Sequence, residues 1–282
     1  TWQSAVKLPP QWFLQFGCVI GDEAHTFKAK SLTTIMERLA LADMRIGTTG
    51  TLDGGQVNEL TLKGNFGSIF RVTSTKELIE SNTLAELKIQ CLALKYPDEV
   101  RKAFGKQTYA EEINFIAVHE KRNRFITNLA LDQAGNTLVL YNLVKKHGEP
   151  LFKQIKEKAG DRPVFFVSGG VNAEERERIR ELTEKATGAI IVASSGTFST
   201  GINVKNLHNI IFASPTKSQI RVLQSIGRGL RKSENDQGTI VYDIADDLSW
   251  KRRKNYTLKH AAERVGIYNK EGFDFNIYPI KL

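Results

Sequence analysis

The feature that most constrains this chain is an alternation of short β-rich apolar runs with helical patterns, regular from residue 137 onward. Residues 137–141, 163–167, 189–193, 209–213 and 239–243 read as strands rich in Val, Ile, Leu and Phe. Between them lie helical patterns. Pro150 fits the first turn of one that ends near Gly160, and Asn172 with Glu175 makes a capping-box start for the next. A further helix is expected from Ser214-Pro215, carrying Ile220, Leu223 and Ile226. Strand–helix alternation of this kind implies an α/β fold with a parallel sheet and helices on both faces.

Upstream, the pattern is shorter. Residues 16–20 read as a buried strand, 31–43 as a helix capped by Ser31, and 44–48 and 68–72 as strands. Residues 75–84 look helical and 87–94 strand-like, and a long polar helical stretch covers 109–132. The boundary is expected near residues 84–90, giving a small first piece, 1–86, and a larger second one, 87–282. At 282 residues the chain can bury a large core without metal or disulfide staples. Its two cysteines, Cys18 and Cys91, read as reduced core thiols, which fits a cytoplasmic setting. The longest apolar runs fall far short of the ~20 residues of a membrane span, and no leader or zinc-ligand spacing is expected.

Forty Lys and Arg against 31 Asp and Glu give a net charge of +9, a surplus that favours polyanionic partners, nucleic acid first. Four segments carry chemistry. Asp22-Glu23-Ala24-His25 directly follows the first strand run, where ligands of open α/β sheets sit. One carboxylate there could hold Mg²⁺ on nucleotide phosphates, and its neighbour could orient and deprotonate water. An acidic turn without a role is the plain alternative. Gly47-Thr48-Thr49-Gly50-Thr51 could sense a phosphate or be a simple glycine turn. Residues 194–203, with hydroxyls and glycines after a strand, suit phosphate contacts or a polar loop. Gln224-Ser225-Ile226-Gly227-Arg228-Gly229-Leu230-Arg231 could present guanidinium groups to a phosphoryl group or be a solvated basic helix end.

Taken in order, these segments resemble motifs II, III, V and VI of superfamily-two helicases of the DEAH-box-like kind. The resemblance implies RecA-like parallel sheets, with a truncated first motor domain followed by a complete second one. It implies ATP and Mg²⁺ as cofactors, with Asp22 on the metal and Glu23 activating water. His25 would couple the nucleotide site to the second domain, and Thr49 and Thr51 would relay between ATP state and nucleic acid. Gly201 and Asn203 would lie near the nucleotide, although many relatives carry Asp at the position of Asn203. Gln224, Arg228 and Arg231 would face the phosphates across the domain cleft. Asn142, Ser168, Gly169 and Thr197 fall in segments that touch the nucleic-acid backbone in the family.

A phosphate cradle of the Gly-x-x-x-x-Gly-Lys-Ser/Thr type is absent from the sequence: Gly105-Lys106 has Val100 where the earlier glycine belongs. The chain is therefore expected to begin inside the first motor domain and to hydrolyse no ATP alone. Lys251, Arg252, Arg253 and Lys254, between Trp250 and Tyr256, suit phosphate contact more than base stacking, and a solvated helix face is the alternative. The expectation is a monomeric motor on single-stranded or branched DNA, with RNA–DNA hybrids as further substrates and no membrane. A duplex translocase without strand separation, a non-catalytic nucleic-acid-binding module and a metabolic α/β enzyme are the competing readings.

Overall fold

The computed structural model describes residues 1–50, 52, 56–105, 107–201, 204, 206–215, 218, 227 and 238–282. They form two compact units, Thr1–Val72 and Thr73–Leu282. The division falls earlier than the expected 86/87 boundary. Ile79 and Leu84 pack against the core of the second unit, so the segment around them belongs there.

In the first unit, β1 (Cys18–Gly21) pairs in parallel with β2 (Met44–Gly47), in the register Gly21↔Gly47. Short helices α1 (Trp2–Ala5) and α2 (Pro10–Phe13) precede them. Helix α3 (Lys30–Arg38) follows Ala29, with no side-chain cap; Ser31 lies inside the first turn. Phe13, Met36, Leu39 and Ala42 make the small core. Arg38 secures the N-terminal turns by donating to the carbonyls of Val6 (2.6 Å) and Leu8 (3.0 Å). Helix α4 (Gln56–Phe66) occupies a stretch with no helical expectation, and residues 68–72 form no strand. Strand β1 is less buried than expected. Cys18 is exposed, because the alternate positions Cys18, Ile20, Met44 and Ile46 share the open face of the two-stranded sheet.

The second unit is built on seven parallel strands: β3 (Leu87–Lys95), β4 (Thr137–Tyr141), β5 (Val164–Val167), β6 (Ile190–Ser194), β7 (Asn209–Phe212), β8 (Thr239–Asp247) and β9 (Phe275–Lys281). Their order is β5-β6-β4-β7-β8-β3-β9. Successive residues of the central strands point to opposite faces, and both faces are covered. Leu138 and Leu140 enter one core with Ile191 and Ala193, whereas Val139 and Tyr141 enter the other with Ile190 and Val192. The first core is closed by α5 (Thr75–Glu80), α10 (Ala173–Lys185) and α12 (Tyr256–Glu271). The second is closed by α8 (Glu120–Asp132) and α9 (Glu149–Lys158). Helix α6 (Asp98–Ala103) precedes α7 (Tyr109–Val118), and α11 (Ser195–Gly201) follows β6.

The expected helical stretch 109–132 is two helices. His119 adopts an extended conformation between them, and its Nδ1 accepts from the Arg122 amide at 3.3 Å, starting α8. The Asn172 cap holds: its side chain accepts from the Glu175 amide at 2.8 Å. Strand β9, which the sequence pattern did not mark, adds to the β3 edge with most of its side chains exposed. No helix of the described residues is long and apolar enough to cross a membrane.

Candidate nucleotide and nucleic-acid sites

In the first unit the register Gly21↔Gly47 sets Asp22 beside Thr48 at the carboxyl end of two parallel strands. The approach is close: a Cβ on Gly21 would stand 2.7 Å from the Phe66 ring, and one on Gly47 2.9 Å from it. Asp22 Oδ1 accepts from the Glu23 amide (2.9 Å) and the Thr48 hydroxyl (3.2 Å). Its side chain is exposed, and among the described residues Oδ2 has no hydrogen-bond donor. Glu23 holds a left-handed backbone (φ 51°, ψ 48°), a conformation that costs a non-glycine residue ~1–2 kcal/mol and is commonest at functional sites. The turn aims its carboxylate toward His25, whose Nδ1 lies 3.2 Å from Glu23 Oε2 and 2.9 Å from Thr49 Oγ1. His25 is buried, so this one ring links both motifs. Thr48, which the sequence motif did not single out, is the Asp22 partner; its only signal is the register that sets it beside Asp22.

This oxygen set suits Mg²⁺. The ion is commonly held by one or two carboxylates, with water and substrate phosphates completing its octahedron. Among the described residues no three acidic, His or Cys side chains cluster to make a metal cage. Thr51, Asn203, Gln224, Arg228 and Arg231 lie outside the described residues; Gly201 ends α11.

In the second unit, the parallel sheet brings four candidates to one edge. Asn142 follows β4, Ser168 and Gly169 follow β5, and Thr197 lies in the first turn of α11 after β6. Strands β5, β6 and β4 are adjacent, so these residues share the carboxyl edge. Ser194 donates to Thr197 Oγ1 at 2.7 Å, and a Cβ on Gly169 would lie 3.9 Å from that hydroxyl. The Asn142 amide donates to Ser214 Oγ at 3.1 Å, and its side chain donates to the Pro215 carbonyl at 3.3 Å.

Behind this edge runs a buried polar chain. His147 Nδ1 lies 3.0 Å from Ser214 Oγ, and its Nε2 lies 3.4 Å from Arg122 Nη1. Arg122 grips Asp246 through Nε (2.7 Å) and Nη2 (3.0 Å) and donates to the Ala213 carbonyl (2.8 Å). The Tyr96 hydroxyl completes the Asp246 shell at 2.9 Å. Burial, with the Arg122 charge beside it, pushes the His147 imidazole down to about 3, so it is neutral at working pH. The chain fixes the backbone after β4 and β7 by bonds that a neutral histidine can make.

The cationic run follows β8 on the same edge. Lys251, Arg252 and Lys254 are exposed. Arg253 is half-buried and donates to the Arg101 carbonyl at 2.9 Å, while its backbone pairs with Trp250. Three of the four cations are thus directed to solvent, and Arg253 also braces the loop. Asn255 closes the loop, accepting from the Leu248 amide (3.1 Å) and donating to the Asp246 carbonyl (2.9 Å). Lys251 takes a left-handed backbone, φ 53°.

Comparison with known proteins agrees with this arrangement. Residues 120–233 match the helicase conserved C-terminal domain family. The chain is 39% identical over 295 aligned residues to the ATP-dependent DNA helicase uvsW of Enterobacteria phage T4, covering all of this chain and 58% of that protein. A probable helicase, D10, of Escherichia phage T5 is 24% identical over 92% of this chain and 54% of its own length. The crystal structure of T4 UvsW superposes with a TM-score of 0.61 at 37% identity, covering 100% of this chain and 57% of that one. A putative HsdR subunit of a type I restriction enzyme from Vibrio vulnificus YJ016 shares the fold, with a TM-score of 0.69 at 18% identity over 96% of this chain and 50% of its own. The chain spans little more than half the length of the curated relatives it matches. Motif order, parallel-sheet fold and 39% whole-chain identity to UvsW agree: residues 120–233 are a helicase conserved C-terminal domain, and the chain as a whole resembles the C-terminal part of a superfamily-two helicase.

Proposed function

We propose that the chain belongs to an ATP-dependent helicase or translocase that acts on DNA, branched DNA and RNA–DNA hybrids included, in recombination and repair. The observation that carries the reading is the junction at the ends of β1 and β2, where Asp22, Glu23, His25 and Thr49 are linked by hydrogen bonds and by the 3.2 Å contact of His25 Nδ1 with Glu23 Oε2. Bound Mg²⁺ and ATP would supply an electrophilic phosphoryl group. Asp22 Oδ2, which has no donor among the described residues, would bind the metal, and Glu23 would be the base that orients and deprotonates the attacking water. The His25 ring, shared between Glu23 and Thr49, ties the position of that base to the segment that follows β2, so Thr49 is a coupling residue; Thr51 would share that role by its place in the motif. Gly201 and Asn203 would adjoin the nucleotide. Gln224, Arg228 and Arg231 would neutralise charge developing on the phosphoryl group, a role worth ~10³–10⁵ in rate for an arginine finger.

The nucleic-acid side rests on the carboxyl edge of the second unit. Asn142, Ser168, Gly169 and Thr197 offer amides and hydroxyls to backbone phosphates, and Lys251, Arg252 and Lys254 offer charge. The net charge of +9 suits that partner. A cytoplasmic monomer is the working form. The sequence holds no phosphate cradle of the Gly-Lys-Ser/Thr type, so turnover calls for one supplied by a longer chain. Strand separation on labelled branched DNA, run beside triplex displacement, tests the reading. Release of the strand by a longer protein with this chain supports it, and triplex displacement without strand release makes the protein a duplex translocase.

A further inference from the structure

The cationic loop adjoins an aromatic pair. Trp250, the aromatic residue next to the cations, is covered: the Arg101 guanidinium lies 5.6 Å from its ring and donates to the Ser249 carbonyl at 3.1 Å. Tyr256, in the first turn of α12, is 42% exposed, and Tyr109, in the first turn of α7, is 43% exposed. Their rings meet edge to face, with centroids 6.1 Å apart at 75°. Lys259 Nζ lies 5.6 Å from the Tyr256 ring.

Buried Glu112 holds the two rings in place. It lies on α7 almost one turn beyond Tyr109, is 1% exposed, and its carboxylate caps the start of α12. It accepts from the Tyr256 amide (2.9 Å), the Thr257 amide (2.7 Å), the Thr257 hydroxyl (2.7 Å) and Asn255 Nδ2 (2.8 Å). Charge-assisted bonds to a helix N-terminus are among the stronger ones in proteins. The helix starts that bear the two tyrosines are therefore fastened together, and Asn255, which closes the cationic loop, is fastened with them. Tyr109 also lines a cavity of about 300 Å³ whose wall includes Asn142, Leu143, Ser214 and Pro215. Cationic loop, tyrosine pair and Asn142 edge thus adjoin one another.

We propose that Tyr109 and Tyr256 form a base-stacking subsite for single-stranded nucleic acid, with Lys251, Arg252, Lys254 and Lys259 holding the flanking phosphates. The inference rests on the nucleic-acid reading of this edge and adds to it a contact that reads the base face rather than the charge. Rigid, half-exposed aromatic rings beside a cationic track are the elements with which proteins hold single strands without sequence preference. The charge surplus argues for a polyanion as the occupant.

Salt dependence separates the two kinds of contact. Phosphate contacts release counterions and set the slope of log affinity against log salt, whereas stacking lowers affinity with no change of slope. The test is binding of a fluorescent oligothymidine to the 282-residue chain across a salt series. Tyr109→Ala and Tyr256→Ala should each weaken binding about tenfold at unchanged slope, and the Phe variants should bind as the parent does. On an abasic oligomer of equal length the Ala variants should match the parent. The triple variant Lys251→Ala, Arg252→Ala, Lys254→Ala should lower the slope by about 2. Equal losses on both oligomers, or no loss for the Ala variants while the triple variant loses slope, would overturn the stacking subsite alone. An unchanged slope in the triple variant would overturn the nucleic-acid reading of the loop, and the subsite with it.

Discussion

Asp246→Asn would test the buried chain that holds the candidate nucleic-acid edge. The side chains of Arg122 and Asp246 are both 0% exposed, and three hydrogen bonds of 2.7–3.0 Å converge on the carboxylate from Arg122 and Tyr96. The amide retains one acceptor and turns an NH₂ group toward either the guanidinium or the tyrosine hydroxyl. Arg122 then keeps its charge in a dry interior with only neutral groups beside it, the remaining amide oxygen, the Ala213 carbonyl and His147 among them. Breaking one side of such a pair costs about 3–5 kcal/mol. At about 2–4 °C per kcal/mol for a unit of this size, the melting temperature should fall by about 6–20 °C. Trp250 is the one tryptophan of the second unit, so a Trp2→Phe, Trp12→Phe background lets its fluorescence report that unit alone. Replacing both partners, as Arg122→Met with Asp246→Leu, should recover most of the loss, because an apolar pair leaves no unpaired charge. A single variant that melts within about 2 °C of the parent would refute the reasoning, as would a double variant worse than the single one.

Two further outcomes follow from burial. His147 titrates near 3 when folded against an ordinary 6.5, so below pH 6.5 the unfolded chain takes up a proton that the folded chain refuses. Stability from this group is complete above pH 6.5 and falls toward pH 3, at a limiting slope of about 1.4 kcal/mol per pH unit. His147→Gln should remove most of the slope between pH 6.5 and 5 in urea unfolding, leaving a smaller part from half-buried His119, which is lowered likewise by its burial. An unchanged slope would place the sensitivity elsewhere. Burial, helped by the Asp243 charge, pushes the Cys91 thiol up to about 12, whereas Cys18 is exposed. A thiol reagent at neutral pH should therefore modify one cysteine at once and the second only in denaturant, and rapid reaction of both would contradict the burial of Cys91.

The central strands were legible because β4, β6 and β7 are apolar on both faces, the mark of a parallel sheet covered on both sides. The first unit was harder. Helix α4 carries Val57 and Leu60 in exposed positions, so its apolar residues trace no core-facing stripe, and residues 68–72 carry Phe70 and Val72 in solvent, where alternation signifies nothing. Strand β9 joins an edge with most side chains exposed, which leaves little pattern to read. Of the sites, the Asp22–His25 and Gly47–Thr51 segments were visible because each is local and follows a strand. The Asp22–Thr48 contact depends on register, and the Tyr109–Tyr256 pair depends on Glu112 joining two helices distant in sequence. No local pattern encodes either.

In the proposed function, Glu23 and its partners drive a nucleic-acid-dependent ATPase. The most direct measurement is ATP turnover, with and without single-stranded DNA, by the 282-residue chain, by a longer protein carrying it with a phosphate cradle, and by that protein's Glu23→Gln variant. No turnover is expected from the 282 residues alone, DNA-stimulated turnover from the longer protein, and a loss of at least about 10²-fold in the variant. Full turnover by the Glu23→Gln protein, or none by the longer protein with DNA present, would contradict it.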